Sequence, residues 1–170
     1  MVDLCRLAAA GEWLHLFPEA GVWQLDSLGG RFNSKIGKLK WGVGKLIAHS
    51  TQTPFVIPIF ISGTEQIVPQ NPDTKIPLYK YPIPGHSVNL RVGKQISFDD
   101  LIAKHESKYG PLRRFSLEDF PADPNDDTGD YHRTWDSQSH EYELYHEITS
   151  RIEAELELLG KESNAELGKV

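Results

Sequence analysis

Apolar and polar positions along the chain follow two spacings, which predict a mixture of helices and strands. Helical spacing of three to four residues groups the apolar positions of segments 2–10, 38–49 and about 137–159. A further helix is expected over about 97–109, because acidic residues follow Ser97 where a first helical turn belongs. These helices are separated by shorter, apolar segments of a different character.

Three of these segments predict strands. Residues 13–17 are a run of apolar residues broken only by His15, typical of a strand covered on both faces. Segment 53–63 is the most apolar of the chain, and its β-branched content favours a buried strand with Pro58 at an edge or bulge. Strict alternation over 88–92 predicts a half-buried strand.

The first of these strands leads into the best candidate for a ligand site. It stops at Pro18, and Glu19 follows in a glycine-containing turn. A carboxylate just past the end of a buried strand is where α/β proteins usually make ligand contacts. Phe17, Pro18 and Glu19 are therefore candidate site residues. The competing interpretation is that Glu19 only caps the backbone of its own turn.

Lysines 38, 40 and 45 lie on the polar side of the segment predicted to be the second helix. They could receive a phosphate or could simply form a solvated face. Two phosphate-loop patterns come close to this segment and fail. A dinucleotide fingerprint starting at Gly42 would need a glycine at Ile47, and a Walker loop ending at Lys45 would need one at Leu39. Nucleotide binding is not supported.

Composition and charge narrow the class of protein. The net charge of -6 and pI near 5.6 argue against a nucleic-acid partner. A single cysteine, Cys5, excludes disulfides within the chain and a cysteine metal cage, and we expect it to be a small core residue. No apolar run reaches 18 residues, and the first residues match neither a secretory signal nor an arginine-rich transit peptide.

Two loops and the tail stand apart from the regular segments. Loop 64–86 is rich in proline and carries Tyr79, Lys80 and Tyr81, suited to a lipid headgroup region or to a rigid surface excursion. Residues 110–136 predict an exposed, mobile insertion, because 118–136 hold seven acidic side chains and one basic. The spacing of an EF-hand calcium loop is absent there. The tail 160–170 is expected to fray.

Three blocks of the sequence resemble a known family when taken in order. They are Phe17-Pro18-Glu19, Lys40-Trp41-Gly42-Val43-Gly44-Lys45-Leu46-Ile47-Ala48 and Pro54-Phe55-Val56-Ile57-Pro58-Ile59. They resemble the third and fourth conserved blocks of the glycerophospholipid acyltransferases. The Lys-Trp-Gly block, the Phe-Ile-Ser-Gly that ends at Gly63 and the later Val92-Gly93-Lys94 resemble the tafazzin branch. The likeness covers about 3–105 and the final helix, and the acidic insertion has no counterpart.

The resemblance implies an α/β fold with a central mixed sheet flanked by helices, here without its N-terminal strands and helices. Residues 1–109 would be a partial acyltransferase domain, 110–136 the insertion, 137–159 its last helix and 160–170 the tail. It implies acyl transfer between phospholipids and lysophospholipids, including cardiolipin, at a mitochondrial membrane surface. Neither a cofactor nor a metal is implied. Glu19 would hold the glycerophosphate region of the substrate.

Two departures from the family pattern alter this expectation. The family uses a His-x-x-x-x-Asp block, in which histidine acts as general base, and no histidine of this chain has aspartate five residues later. No catalytic residue is assigned, and we expect an incomplete, inactive chain. The family also continues Phe-Pro-Glu with glycine and a basic residue, where this chain has Ala20-Gly21-Val22. Lys38 or Lys40 would then substitute for the missing charge.

Two other functions remain open. The chain could be a non-catalytic lipid-surface or protein-binding module that uses its loops and terminal helix. It could also be a truncated product that lacks a function and aggregates through apolar surface and an open strand edge.

Overall fold

The computed structural model describes residues 2–19, 39–71, 74, 76–120 and 137–167. These residues form two compact units. The helical unit contains residues 2–18, 40–56, 97–120 and 137–150, and the sheet unit contains 19, 39, 57–71, 74, 76–96 and 151–167. In chain order the elements are α1 Val2–Ala9, α2 Gly42–His49, β1 Ile59–Ser62, α3 Thr64–Ile67, β2 Asn89–Val92, α4 Asp99–Tyr109, a 3-10 turn Leu117–Asp119 and α5 Ser139–Leu167.

Helix α1 forms where the sequence predicts it and packs on the core of the helical unit. Its end is set by Gly11, whose φ of 77° is the left-handed conformation that glycine adopts at little cost. Cys5 is buried against Leu46 and Phe115, which confirms it as a small core residue. Leu4 and Ala8 of α1 pack on the same three side chains.

The centre of the helical unit is the packing of α2 against the first half of α5. Gly44 makes this approach possible, because a Cβ there would come closer than 3.0 Å to backbone atoms of Tyr145. Helix α4 begins with two aspartates in its first turn and ends at Gly110, with φ of 92°. The buried apolar side chains of this unit include Ile47, Phe98, Ile102, Leu112, Phe115, Leu144 and Ile148.

In the sheet unit, β1 and β2 form an antiparallel pair with Ile59 opposite Val92 and Ile61 opposite Leu90. One face of this pair lies against the second half of α5. The Ser62 and Ser163 hydroxyls are buried and 3.0 Å apart, and a Cβ added at Gly160 would be 3.2 Å from the ring of Phe60. The helix therefore covers the face that carries Phe60 and Ser62.

The opposite face of the pair is bare. It carries Ile59, Ile61, Leu90 and Val92, and all four side chains are exposed, Leu90 by 58% and Val92 by 59%. The sequence predicted β2 correctly, but its apolar side faces outward. The expected central mixed sheet is not seen in the described residues, where the sheet has these two strands.

The predicted buried strand at 13–17 is wrong. These residues form no strand, and Trp13 and Phe17 are 98% and 68% exposed. Leu14 and Leu16, which alternate with them, pack on the cluster of Cys5, Leu46 and Phe115. An unbroken apolar run does not reveal which of its two sides faces the core, and here only one side does.

Three other boundaries differ from the prediction. The strand predicted over 53–63 is limited to β1, which starts just after Pro58 because proline cannot donate to a ladder. The predicted exposed insertion does not begin at 110, since Leu112 and Phe115 are buried and the Phe115 N–H donates to the His49 carbonyl. Helix α5 continues through 160–167, where the sequence predicted a frayed tail, because Ser163 is buried on the sheet.

Several sequence predictions lie outside the described residues. These are the candidate site residue Lys38, the altered turn at 20–22, the acidic segment 121–136 and the last three residues. Among the residues that the structure describes, no helix is both long enough and apolar enough to cross a bilayer.

Candidate functional site

A backbone hydrogen bond joins two of the three sequence blocks. The Lys40 N–H donates to the Pro18 carbonyl at 2.8 Å, which brings the residue after Phe17 next to the residue before Trp41. The blocks are more than twenty positions apart in the sequence, so this proximity is a product of the fold. The candidate site in the helical unit is therefore Pro18 together with Lys40, and Glu19 follows Pro18 in the sequence.

The structure places the predicted site residues as follows. Phe17 is exposed, with its ring 4.7 Å from the ring of His15, and Pro18 and Glu19 are half-buried. Lys40 is exposed. Lys38 lies outside the described residues. The structure thus brings Pro18 and Lys40 together.

Trp41, the residue after Lys40, belongs to a group of three aromatic rings. Trp41 stacks on Tyr145, with ring centroids 5.9 Å apart and planes 12° apart, and it meets Tyr142 edge-on at 5.1 Å. Tyr142 and Tyr145 are also edge-on to each other at 5.7 Å. These spacings lie within the range in which aromatic pairs attract. We call Trp41, Tyr142 and Tyr145 the ring cluster.

The hydroxyl of Tyr145 connects the ring cluster to a buried histidine. His49 Nδ1 lies 2.7 Å from the Arg113 carbonyl oxygen, and a carbonyl can only accept, so Nδ1 carries a proton. In neutral His49, Nε2 is then the acceptor, and the Tyr145 hydroxyl donates to it at 2.5 Å. The same hydroxyl oxygen is 3.1 Å from Ser137 Oγ and from Glu141 Oε2. Its single proton can serve one of these neighbours at a time.

Burial shifts the titration of this network away from the charged forms. Burial lowers the pKa of His49, although the hydrogen bond to the Arg113 carbonyl and the charge of Glu141 act in the opposite direction. Burial likewise raises the pKa of the Tyr145 hydroxyl. Both side chains are completely buried, so a substrate cannot reach His49. The network can fix the ring of Tyr145 but does not offer a general base.

Two further histidines stack with a tyrosine. His105 is buried and stacks on His140 at 5.3 Å, and His140 stacks on Tyr109 at 4.2 Å. Burial lowers the pKa of His105 as well. Among the residues that the structure describes, no three His, Cys, Asp or Glu side chains are arranged to hold a metal ion.

Sequence reasoning missed the ring cluster and the role of His49. The apolar spacing of 137–159 predicts a helix without showing what its tyrosines contact, and Trp41 stands in the sequence as part of a family block. A usable signal was present, since Tyr142 and Tyr145 are three residues apart and therefore lie on one face of a helix. Nothing in the local sequence indicates that this face meets α2.

The chain is similar to two kinds of relative, an N-acylphosphatidylethanolamine synthase and tafazzins. It is 41% identical over 90 residues to an N-acylphosphatidylethanolamine synthase of Arabidopsis thaliana, which covers 52% of this chain and 28% of that protein. It is 29% identical over 118 residues to the tafazzin of Saccharomyces cerevisiae, covering 68% of this chain and 29% of the relative. The tafazzin of Drosophila melanogaster is 30% identical over 112 residues, covering 65% and 26%.

These matches confirm the resemblance to the glycerophospholipid acyltransferases. Within that family, tafazzins from several organisms match, as the Lys-Trp-Gly block predicted. The chain spans about a third or less of the length of these relatives. No protein-family profile matches it. No solved structure matches it either.

Proposed function

We propose that this chain carries the lysophospholipid-binding part of a tafazzin-like phospholipid–lysophospholipid acyltransferase, which remodels the acyl chains of cardiolipin and other glycerophospholipids. The observation that carries the proposal is the 2.8 Å hydrogen bond from Lys40 to Pro18, because it unites the Phe-Pro-Glu and Lys-Trp-Gly blocks at one place. The similarity to tafazzins over about two thirds of the chain supports it.

The chemistry of the site residues suits a glycerophosphate group. The exposed ammonium group of Lys40, with Lys38 as a second cation, supplies positive charge for the phosphate. A bare carboxylate repels phosphate, so Glu19 acts through a hydroxyl of the glycerol or through a hydrogen bond that orders the turn. Phe17 offers an exposed ring beside them. No cofactor is required for this binding.

Acyl transfer itself needs a base to deprotonate the acceptor hydroxyl. None of the seven histidines is followed five residues later by aspartate, and His49 is closed to substrate. These 170 residues are therefore expected to bind a lysophospholipid without transferring an acyl chain. Turnover by the purified chain that disappears on Glu19→Ala would overturn this part of the proposal.

Binding is tested with phosphatidylcholine vesicles that contain an anionic lysophospholipid. The double variant Lys38→Gln with Lys40→Gln should lose most of the preference for these vesicles over phosphatidylcholine alone. The matched control is Lys108→Gln with Lys161→Gln, which changes the net charge equally at two exposed helical positions. Equal losses in both double variants would mean that only the general charge matters and would contradict the proposed site.

Glu19→Gln is the sharper variant, because it keeps the size of the side chain and removes its charge. If Glu19 accepts a hydrogen bond from the substrate, affinity for the lysophospholipid should fall, whereas diacyl phosphatidylcholine vesicles should bind as before. If the variant keeps the preference for vesicles that contain the lysophospholipid, Glu19 does not contact the substrate and is only a turn residue.

The bare sheet face favours a second candidate function, a non-catalytic module that binds a lipid surface. In the sheet unit, Ile59, Ile61, Leu90 and Val92 are exposed, and so are Tyr79 and Tyr81, with the Lys80 ammonium 5.5 Å from the Tyr81 ring. Aromatic and basic side chains of this kind suit the headgroup region. This candidate predicts co-sedimentation with liposomes that contain no lysophospholipid.

Both candidates imply a peripheral position at a membrane, and the tafazzin resemblance suggests that the membrane is mitochondrial. The test is fractionation of cells that express the tagged protein: we expect it with the mitochondrial membranes, released by alkaline carbonate. If the protein is recovered only in other membranes, the mitochondrial localisation is wrong, and the proposed binding to a lipid surface still holds.

A further inference from the structure

The ring cluster lies where it can control the candidate site. Trp41 directly follows Lys40, whose N–H makes the hydrogen bond to Pro18. We propose that Tyr145 is a positioning residue for lysophospholipid binding, because its ring holds Trp41 and Trp41 holds the link between Lys40 and Pro18. This inference rests on the proposed function for its ligand, but the geometry of the link can be tested separately.

The first step is the connection from Trp41 to the turn. The Lys40 and Trp41 carbonyls accept hydrogen bonds from the N–H groups of Val43 and Lys45, at 3.2 and 3.1 Å, so both residues are tied to the start of α2. A displacement of Trp41 therefore moves the Lys40 N–H as well. Since this N–H is bonded to the Pro18 carbonyl, Pro18 is displaced with it.

The second step is the fixed position of Tyr145. Its ring is completely buried and its hydroxyl is bonded to His49, which is itself bonded to the Arg113 carbonyl. Gly44 packs directly on its backbone. The residue is thus held at its backbone, ring and hydroxyl, and it provides a rigid platform for a neighbouring ring.

The third step is the position of Trp41 at the edge of this platform. Trp41 is 39% exposed and stacks on Tyr145 with nearly parallel planes, while Tyr142 closes one side of it. A side chain that only filled the core would be buried. Trp41 instead connects a rigid interior to the exposed Lys40, as expected for a residue that orients a surface site.

The experiment uses the full chain with Trp41 as its only tryptophan, through Trp13→Phe, Trp23→Phe and Trp135→Phe. Quenching of Trp41 fluorescence by acrylamide reports its packing, and sedimentation with phosphatidylcholine vesicles, with and without an anionic lysophospholipid, reports affinity. Tyr145→Leu should increase quenching and weaken the lysophospholipid-dependent affinity roughly two- to tenfold, the loss expected for one aromatic stack. Tyr145→Phe retains the ring, so the packing of Trp41 and the lysophospholipid-dependent affinity should both stay close to those of the parent chain.

Tyr109→Leu is the matched control, because Tyr109 stacks on His140 and has no ring contact with Trp41 among the described residues. In this variant, the quenching of Trp41 by acrylamide and the affinity for the lysophospholipid should stay close to those of the parent chain. If Tyr145→Leu and Tyr109→Leu behave alike, the positioning role is wrong. If Tyr145→Leu does not fold, Trp41→Leu removes the same stack at a half-exposed position, and an unchanged affinity in that folded variant overturns the inference.

The two proposals fail in different ways. A parent chain that shows no preference for the lysophospholipid overturns the proposed function, whatever the Trp41 signal does. Unaltered Trp41 quenching in a folded Tyr145→Leu variant overturns the positioning role, even where the parent chain binds the lipid. Increased quenching together with weaker binding supports both.

Discussion

The helical unit and the sheet unit differ in how their apolar side chains are covered. In the helical unit, α2 and the first half of α5 approach closely, and Phe115, Tyr145 and Ile148 are almost completely buried. In the sheet unit, the second half of α5 covers one face of β1 and β2, and the opposite face exposes four aliphatic side chains. One long helix therefore supports a closed core in its first half and a half-covered sheet in its second.

Polar groups can be more deeply buried than apolar ones when they have hydrogen-bond partners. His49 and the hydroxyl of Tyr145 are inside the helical unit because they hydrogen-bond each other, and His49 also donates to the Arg113 carbonyl. The aliphatic face of the sheet unit is exposed although it carries no polar side chains. Four predictions test this contrast, beginning with the largest expected effect.

Phe115→Ala should lower the free energy of unfolding by about 3 to 5 kcal/mol, because it leaves a cavity in the core of the helical unit. Urea unfolding followed by circular dichroism measures the change. The control in the sheet unit is Leu90→Ala, which should cost less than about 1 kcal/mol because the side chain is exposed. Similar losses at both positions would show that the bare face is covered in solution.

Gly44→Ala should destabilise the protein by about 1 to 3 kcal/mol, since the added methyl group meets the backbone of Tyr145, which cannot rotate away. Gly160→Ala is the matched change in the sheet unit, where the second half of α5 packs on β1. Its methyl group would meet only the ring of Phe60, and the gain in helix propensity of about 1 kcal/mol offsets the crowding. The thermal midpoints of the two variants should differ clearly, and equal midpoints would contradict the closer packing of the helical unit.

Stability should fall as the pH drops below about 6.5, the ordinary pKa of histidine. Burial lowers the pKa of His49 in the folded protein, so the unfolded chain takes up the proton first and unfolding becomes easier. The stabilisation is complete above pH 6.5 and is lost progressively toward the folded-state pKa. His105 acts with the same sign.

The measurement is urea unfolding at a series of pH values between about 8 and 5. His49→Gln should flatten part of the slope, and His86→Gln, at an exposed position, should leave it unchanged. A slope that persists in the combined His49→Gln and His105→Gln variant would assign the pH dependence to other groups.

The smallest effect on stability is expected for Leu90→Thr with Val92→Thr. Both side chains are exposed, and threonine keeps the β preference of the strand, so the free energy of unfolding should change by less than about 0.5 kcal/mol. The protein should nevertheless aggregate less, and scatter less light, because the exposed apolar face is smaller. A marked loss of stability would mean that the face is buried against part of the protein.

Local signals in the sequence were enough for α1, α4 and β2. Gly11 and Gly110 end their helices at positive φ, and aspartates begin α4, so these bounds follow from the residues on each side. The alternation at 88–92 located β2. The same local rules failed at 13–17, because an apolar run is compatible with several environments and the core covers only Leu14 and Leu16.

The sequence suggests the residues of the candidate site, and their role in binding stays a prediction. A predicted strand end, a turn, a lysine-bearing segment and the family blocks point to Phe17, Pro18, Glu19 and Lys40. The link between Pro18 and Lys40 and the ring cluster could not be foreseen, since each depends on contacts between segments that are distant in the sequence. The burial of His49 was unpredictable for the same reason.

By itself, the sequence determined the elements that short-range chemistry controls, the acidic net charge and the resemblance to tafazzin-like acyltransferases, since each depends on residues close together in the chain or on their total. Only the tertiary structure decided which side of each apolar segment is covered, because burial depends on the surface that a distant segment presents. It therefore turned Trp13 outward, enclosed His49 and Tyr145, and joined Lys40, the neighbour of Trp41 in the chain, to Pro18.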